Sequence, residues 1–192
     1  MIRAARPDDI SKIRSIEVAA GELFRGLGME AIADDTPPTE SELATYVRDG
    51  RAWVATGPDG KPLAYILVDI VDGWAHIEQV TVHPDHSRTG LGRALIERVE
   101  QWSDGCGLDG MTLTTFRDVP WNAPYYKRLG FSDVAESAWS EGLRQIVRQE
   151  GAHGLNAWPR VVMKKPSKLQ ARESGQERGS GRAIAAAKGA ES

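Results

Sequence analysis

The segment that most limits what this chain can fold into is 77–95, where an apolar strand pattern enters a turn with two glycines and leaves it as a helix. It reads Ile77-Glu78-Gln79-Val80-Thr81-Val82-His83-Pro84-Asp85-His86, then Ser87-Arg88-Thr89-Gly90-Leu91-Gly92-Arg93-Ala94-Leu95. Upstream, three strand-like runs, 51–56, 63–71 and 76–82, are separated by Gly57-Pro58-Asp59-Gly60 and Asp72-Gly73. Both separators carry the turn chemistry of hairpins, so an antiparallel meander is expected. Downstream, Leu91, Ala94, Leu95, Val99 and Trp102 keep a helical period until Gly105-Cys106-Gly107 stops it.

The flanks supply the remaining elements. A short strand is expected at 2–5, then a helix carrying Ile10, Ile13, Ile16 or Glu17, and Ala20 on one face, with Asp8 and Asp9 offering N-cap carboxylates. Residues 26–38 read as a loop, and 40–48 as a helix with Thr39 as its cap. After the glycine turn, 111–115 reads as a strand and 122–128 as a short helix ending at Gly130. Further strands are expected at 131–134 and 160–163, with an added helix over 140–149 between them. Beyond 165 the only larger aliphatics are Leu169 and Ile184. Such a segment cannot offset its ordering entropy, so the expected organisation is one domain over 1–165 and a disordered tail over 166–192.

Charge and composition exclude several function classes. The net charge of −3 gives no bulk electrostatic reason to expect a nucleic-acid partner. One cysteine excludes an internal disulfide framework and fits a reducing cytoplasm. The N-terminus lacks the apolar core of a signal peptide, and 63–71 is too short to span a bilayer and contains Asp69, so no membrane role is expected. The four histidines show no metal-ligand spacing, and no metal is expected. Cys106, between glycines at a helix end, reads as a structural thiol rather than a nucleophile.

At the turn, glycines let the main chain approach a ligand and take positive φ. The unpaired N–H groups of the following helical turn face an anion, and Arg88 and Arg93 add charge. The arrangement suits a pyrophosphate, although a strand–helix connection that uses glycine only for geometry is the plainer alternative. A Rossmann site would want a third glycine where Leu95 stands, and a P-loop would want Gly-Lys-Ser/Thr; neither is present.

The segment resembles the acyl-CoA-binding motif of the GNAT superfamily of N-acetyltransferases, Gln/Arg-x-x-Gly-x-Gly/Ala after the fourth strand. Gly90 and Gly92 match it, and Ser87 stands at the first position in place of Gln or Arg. A second block, Asn122-Ala123-Pro124-Tyr125-Tyr126-Lys127-Arg128-Leu129-Gly130-Phe131, resembles the family's Tyr-x-x-Leu-Gly-Phe ending. The resemblance covers roughly 2–165. It implies an α/β fold with a mixed, mostly antiparallel central sheet flanked by helices on both faces. It also implies acetyl-CoA as cosubstrate, held by Val80, Thr81, Val82, Ser87, Arg88, Thr89, Gly90, Leu91, Gly92, Arg93, Ala94 and Asn122. Within that set, the backbones of Val80 and Val82 pair with the pantetheine arm like an added strand, and Asn122 caps its helix, contacts the cofactor, or both.

Acyl transfer to an amine makes its own demands. An alkylamine is free base at neutral pH in roughly one molecule per two to three thousand, a handicap of about 4–5 kcal/mol. A general base therefore helps, as does a proton donor for the leaving thiolate and N–H groups for the oxyanion. Strict alternation puts His76, Glu78, Val80 and Val82 on one face of their strand. By resemblance Glu78 is the first candidate for the base and His76 the second, while Tyr126 matches the family's general-acid tyrosine. The plainer alternatives are an ion-paired Glu78, a His76 at a solvated strand end and a packed Tyr126. Acceptor specificity, by resemblance, falls to Glu17, Phe24, Arg25, Asp34, Asp35, the segment 117–121 and the helix near Trp139. The expected function is transfer of acetyl from acetyl-CoA to a primary amine of a small molecule. A protein or peptide acceptor and a non-catalytic acyl-CoA sensor are the alternatives, with a homodimer left open.

Overall fold

The computed structural model describes residues 1–168 and 170. In chain order the elements are β1 (Ile2–Ala4), α1 (Ile10–Arg25), α2 (Glu30–Ala33), α3 (Glu40–Arg48), β2 (Ala52–Thr56), β3 (Pro62–Val71) and β4 (Trp74–Val82). There follow α4 (Leu91–Gly105), β5 (Gly110–Phe116), α5 (Ala123–Arg128), β6 (Ser132–Asp133), α6 (Glu141–Ala152) and β7 (Arg160–Pro166). The seven strands form one sheet in the order β1-β2-β3-β4-β5-β7-β6. All pairs are antiparallel except β4 with β5. The expected mixed, mostly antiparallel sheet is therefore what forms.

Helices cover both faces, and each face has its own core. On one, Leu95, Ile96 and Val99 of α4 and Ala123 and Tyr126 of α5 pack on Ile66, Val68, Ala75, Ile77, Met111 and Leu113. On the other, Ile13 and Ile16 of α1 and Leu43 of α3 pack on Ala52, Val54, Tyr65 and Leu67. The alternating parity of β3, with Ile66 and Val68 on one side and Tyr65 and Leu67 on the other, is what separates the two cores. Each fully buried Ile or Leu contributes about 1.5–3 kcal/mol to holding these layers together.

Local chemistry sets most helix ends as expected. Thr39 caps α3 in a reciprocal box, its side chain accepting from Glu42 N–H while its own N–H donates to the Glu42 carboxylate. Asp9 departs from expectation. It precedes α1 but makes no capping bond to it; its carboxylate instead accepts from the Arg3 guanidinium and from Arg6 N–H. A buried carboxylate is better satisfied by a charged fork than by helix amides alone. Residues 26–38 include the single turn α2, and the last expected inter-helix strand shortens to Ser132–Asp133. At the expected domain boundary, β7 continues to Pro166, and buried Ser167 donates its N–H to the Asp109 carbonyl at 2.8 Å. The rest of the expected tail, 169 and 171–192, lies outside the described residues. Among the described residues no helix is long and apolar enough to cross a membrane.

Candidate active site

Strands β4 and β5 pair at only three positions, Ala75–Met111, His76–Thr112 and Ile77–Leu113. Beyond Ile77 they part, β5 continuing against β7 while β4 stays with β3. The parting coincides with a β-bulge: Ile77 pairs Val68 and Gln79 pairs Leu67, so Glu78 is the extra residue of β4. A bulge resets the alternation of everything after it. Ala75, Ile77, Val80 and Val82 consequently pack on the α4 side. Gln79 and Thr81 turn to the α1 side, where both donate to Glu17, at 3.0 and 2.8 Å. The expectation that His76, Glu78, Val80 and Val82 share a face is thus corrected. His76 bonds Thr112 on the face opposite Val80 and Val82, because one unpaired residue intervenes.

The bulge also fixes which backbone groups the cleft receives. His83 N–H donates to the Leu63 carbonyl. In an antiparallel ladder bonded pairs alternate with unbonded ones, so Tyr65–Thr81 is bonded while Ala64–Val82 and Ile66–Val80 are not. The N–H and C=O of Val80 and Val82 therefore point away from β3, into the gap where β5 has departed.

At the mouth of this gap a 3-10 turn, Pro84–His86, leads to the glycine turn. Ser87 and Thr89 spend their hydroxyls locally, on the carbonyls of Pro84 and His86, both at 2.6 Å. Arg88 stands at φ +61° and makes no ion pair among the described residues, whereas Arg93 pairs with Glu97 at 2.7 Å. The two glycines have different reasons. Gly90 is the N-cap of α4 at φ +85°, and a Cβ there would meet only open space. Gly92 is packed: a Cβ would come within 3.3 Å of Tyr125 Oη and 3.5 Å of Val82. The N–H groups of Leu91, Gly92 and Arg93 have no intrahelical acceptor, and the Gly90 cap offers no side chain to them. Open space before free amides, beside an unpaired arginine, fits the pyrophosphate of CoA.

Tyr126, buried on the α4 side, packs its ring on Tyr125 and Phe131 at 5.6 and 5.8 Å, and its hydroxyl takes no hydrogen bond among the described residues. Burial, with Tyr125 adding a little, pushes its phenol pKa up, so it stays protonated at neutral pH. Asn122 occupies the N-cap position of α5 without a side-chain capping bond, so its amide is left for another partner.

On the strand itself Glu78 is solvent-exposed, and the protein atoms around its carboxyl only partly reduce its hydration. That desolvation, then Asp69 and Glu150, raises its pKa to about 7, with Arg160 opposing. His76 is sealed, with Nδ1 3.0 Å from Thr112 Oγ1, and burial lowers its pKa to about 4. It is a neutral imidazole at physiological pH.

Several groups around Glu78 were not singled out as functional from sequence. Asp69 accepts from Tyr46 Oη at 2.8 Å and is ion-paired with Arg51. Glu150 of α6 is bonded to Thr114 and, at 2.7 Å, to Arg160. The one signal available was a charge, Asp69, inside an otherwise apolar strand run. Of the residues expected to contact the acceptor, Glu17 is committed to Tyr65, Gln79 and Thr81. Arg25 is committed to Glu22 and Asp34, and Phe24 packs edge-on against Phe116 and Trp121.

Residues 16–131 match the model of the acetyltransferase (GNAT) family. The chain belongs to that family. Solved GNAT structures share its fold at low identity. The ribosomal-protein-S18-alanine N-acetyltransferase of Escherichia coli is 21% identical with a TM-score of 0.59, over 87% of this chain and 93% of that one. Rv2747 of Mycobacterium tuberculosis, solved with CoA, is 19% identical with a TM-score of 0.65, over 86% and 98%. N-acetylglutamate synthase of Neisseria gonorrhoeae, solved with CoA and N-acetyl-glutamate, is 15% identical with a TM-score of 0.65, over 87% and 35%. These GNAT proteins act on a protein in one case and hold a small acetylated amino acid in another.

Proposed function

We propose that this GNAT protein transfers acetyl from acetyl-CoA to a primary amine of a small molecule, with Glu78 as general base and Tyr126 as general acid. The observation that supports the reading is the parting of β4 and β5 at the Glu78 bulge, with Val80 and Val82 beyond it packed on the same core cluster as Tyr126. Leu91, Gly92, Arg93 and Arg88 would hold the pyrophosphate, and the outward backbone of Val80 and Val82 the pantetheine arm. Asn122, at the N-cap of α5 with no side-chain capping bond, would supply a further polar contact.

Bound acetyl-CoA supplies an activated thioester. Glu78, as carboxylate, takes a proton from the acceptor ammonium and frees the nitrogen lone pair for attack on the carbonyl carbon. The outward N–H groups of β4 stabilise the oxygen that gains charge. As the carbon–sulfur bond breaks, the Tyr126 hydroxyl gives its proton to the sulfur, and the surplus proton that the nitrogen sheds on becoming an amide restores the phenol. His76, neutral and sealed, keeps second place as a proton acceptor. The small acceptor is supported by α6, which walls the Glu78 side of the sheet. It is tied to the β3–β4 hairpin by Gly142 N–H to Asp72 at 2.8 Å, and to β5 and β7 through Glu150.

A panel of primary amines with acetyl-CoA, read by thiol release, tests the reading. Turnover of small amines and not of peptides is expected; tight acetyl-CoA binding without any turnover would favour the sensor. On the amine found, Glu78→Gln is expected to remove the acidic limb of kcat/KM near pH 7, with its rate deficit shrinking as pH rises and free amine accumulates.

The same residue predicts a pH dependence of stability. Because the folded-state pKa of Glu78 lies above the unfolded value, its contribution is fully present below about 4.5 and is lost as pH rises through about 7. Discounted for its solvent access, the loss is about 1 kcal/mol. Thermal melts at pH 8 should therefore show Glu78→Gln about 2–4 °C above wild type, with the gap closing by pH 4.

A further inference from the structure

We propose that Asp69 is a positioning residue for the acyl transfer, a fixed negative charge built beside Glu78 to make that carboxylate a better proton acceptor. The proposal rests on Glu78 as the base. Asp69 sits on β3 directly opposite His76, and Glu78, the unpaired residue of the bulge, follows two residues later on β4. Its carboxylate is held from two directions, by the Tyr46 hydroxyl of α3 at 2.8 Å and by the Arg51 guanidinium that precedes β2. A carboxylate inside an apolar strand run gains nothing for packing. Two partners that hold it in one place make sense when its charge acts on a neighbour.

The groups around Glu78 come from four other elements. Asp69 of β3 and Glu150 of α6 oppose its ionisation, and Arg160 of β7 favours it. Tyr46 of α3 feels the Glu78 charge as well. His76, on β4 itself, is neutral. Glu150 has its charge answered directly by Arg160 at 2.7 Å, so the two act on Glu78 in opposite directions. Arg51 also answers Asp69, and it is shared with Asp49 at 3.0 Å. Among these groups Asp69 comes first after burial itself in raising the pKa of Glu78 to about 7. The proton balance is simple: the ammonium of the acceptor loses one proton, Glu78 gains it, and the neighbouring negative charge strengthens the hold on it.

The test is Asp69→Asn, which keeps an oxygen for the Tyr46 hydroxyl and leaves Arg51 its ion pair with Asp49. Asp69→Ser serves as a second charge-removing variant should the first fail to fold. The Glu78 side-chain carboxyl is followed by NMR titration in wild type and variant, and kcat/KM is profiled against pH on the acceptor the panel identifies. We expect both the titration midpoint and the acidic limb to move down by about one pH unit. The alkaline plateau should fall several-fold as the base weakens, and in a Glu78→Gln background Asp69→Asn should change the profile no further. An unmoved midpoint and limb, with Glu78→Gln still removing the limb, would overturn the role of Asp69 and leave the base intact. If Glu78→Gln itself leaves the limb in place, the base assignment falls and the role of Asp69 falls with it.

Discussion

Replacing Gly90 by Val should weaken CoA binding by about 100-fold or more, roughly 2.7 kcal/mol, while the domain still folds. Two effects add. At φ +85° a β-branched residue is strained by about 1–3 kcal/mol, so the turn would relax and misdirect the amides of Leu91, Gly92 and Arg93. The new side chain would also project into the open space before those amides, where the pyrophosphate is proposed to sit. Because no protein atom lies within 4 Å of the added Cβ, packing is spared, and the melting temperature should fall by only a few degrees. Gly92→Val is the contrasting variant. Its side chain would strike Tyr125 and Val82, so it should cost stability first and binding as a consequence. Calorimetric titration of CoA into each folded variant separates the two. Unchanged affinity in Gly90→Val would show that this turn holds no phosphate.

Tyr126→Phe should lower kcat by about 10²–10⁴-fold, the usual range for a lost general acid or base. The affinity for acetyl-CoA should hardly move. The phenyl ring would keep its contacts with Tyr125 and Phe131, and no hydrogen bond within the described protein is broken when the hydroxyl goes. A fall in kcat without a fall in binding is how an interaction made only in the transition state appears in kinetics. Burial keeps the phenol protonated, so wild type should show no loss of this donor across neutral pH. A fully active Tyr126→Phe would mean that water or another group protonates the sulfur, and the site assignment would need revision even with the fold and the cofactor cradle intact.

Local chemistry made much of the fold legible. The hairpin at 57–60, the Thr39–Glu42 box, the start of α4 at the glycine turn and its stop after Gly105 all depend on residues within a few positions of one another. So does the strand–turn–helix that carries the proposed phosphate cradle. Asp9 shows where local reasoning fails: its place before α1 suggests a cap, and Arg3, brought over on β1, takes the carboxylate instead.

The candidate site divides the same way. The types and spacing of Glu78, Gly90, Gly92 and Tyr126 were readable along the chain. The geometry joining them was not, because it depends on register between strands distant in sequence. A bulge is invisible in β4 alone; it exists only as a mismatch between Leu67–Val68 and Ile77–Gln79. That single unpaired residue, Glu78 itself, puts Val80 and Val82 on the opposite face from His76 and turns their backbone toward the gap. The sequence by itself determined the helices, turns and residue chemistry, since those follow from neighbours in the chain. The environment that sets each pKa, with Asp69 and Glu150 around Glu78 and the apolar packing around Tyr126, was decided only by tertiary structure, since burial and charge proximity belong to residues that meet by folding.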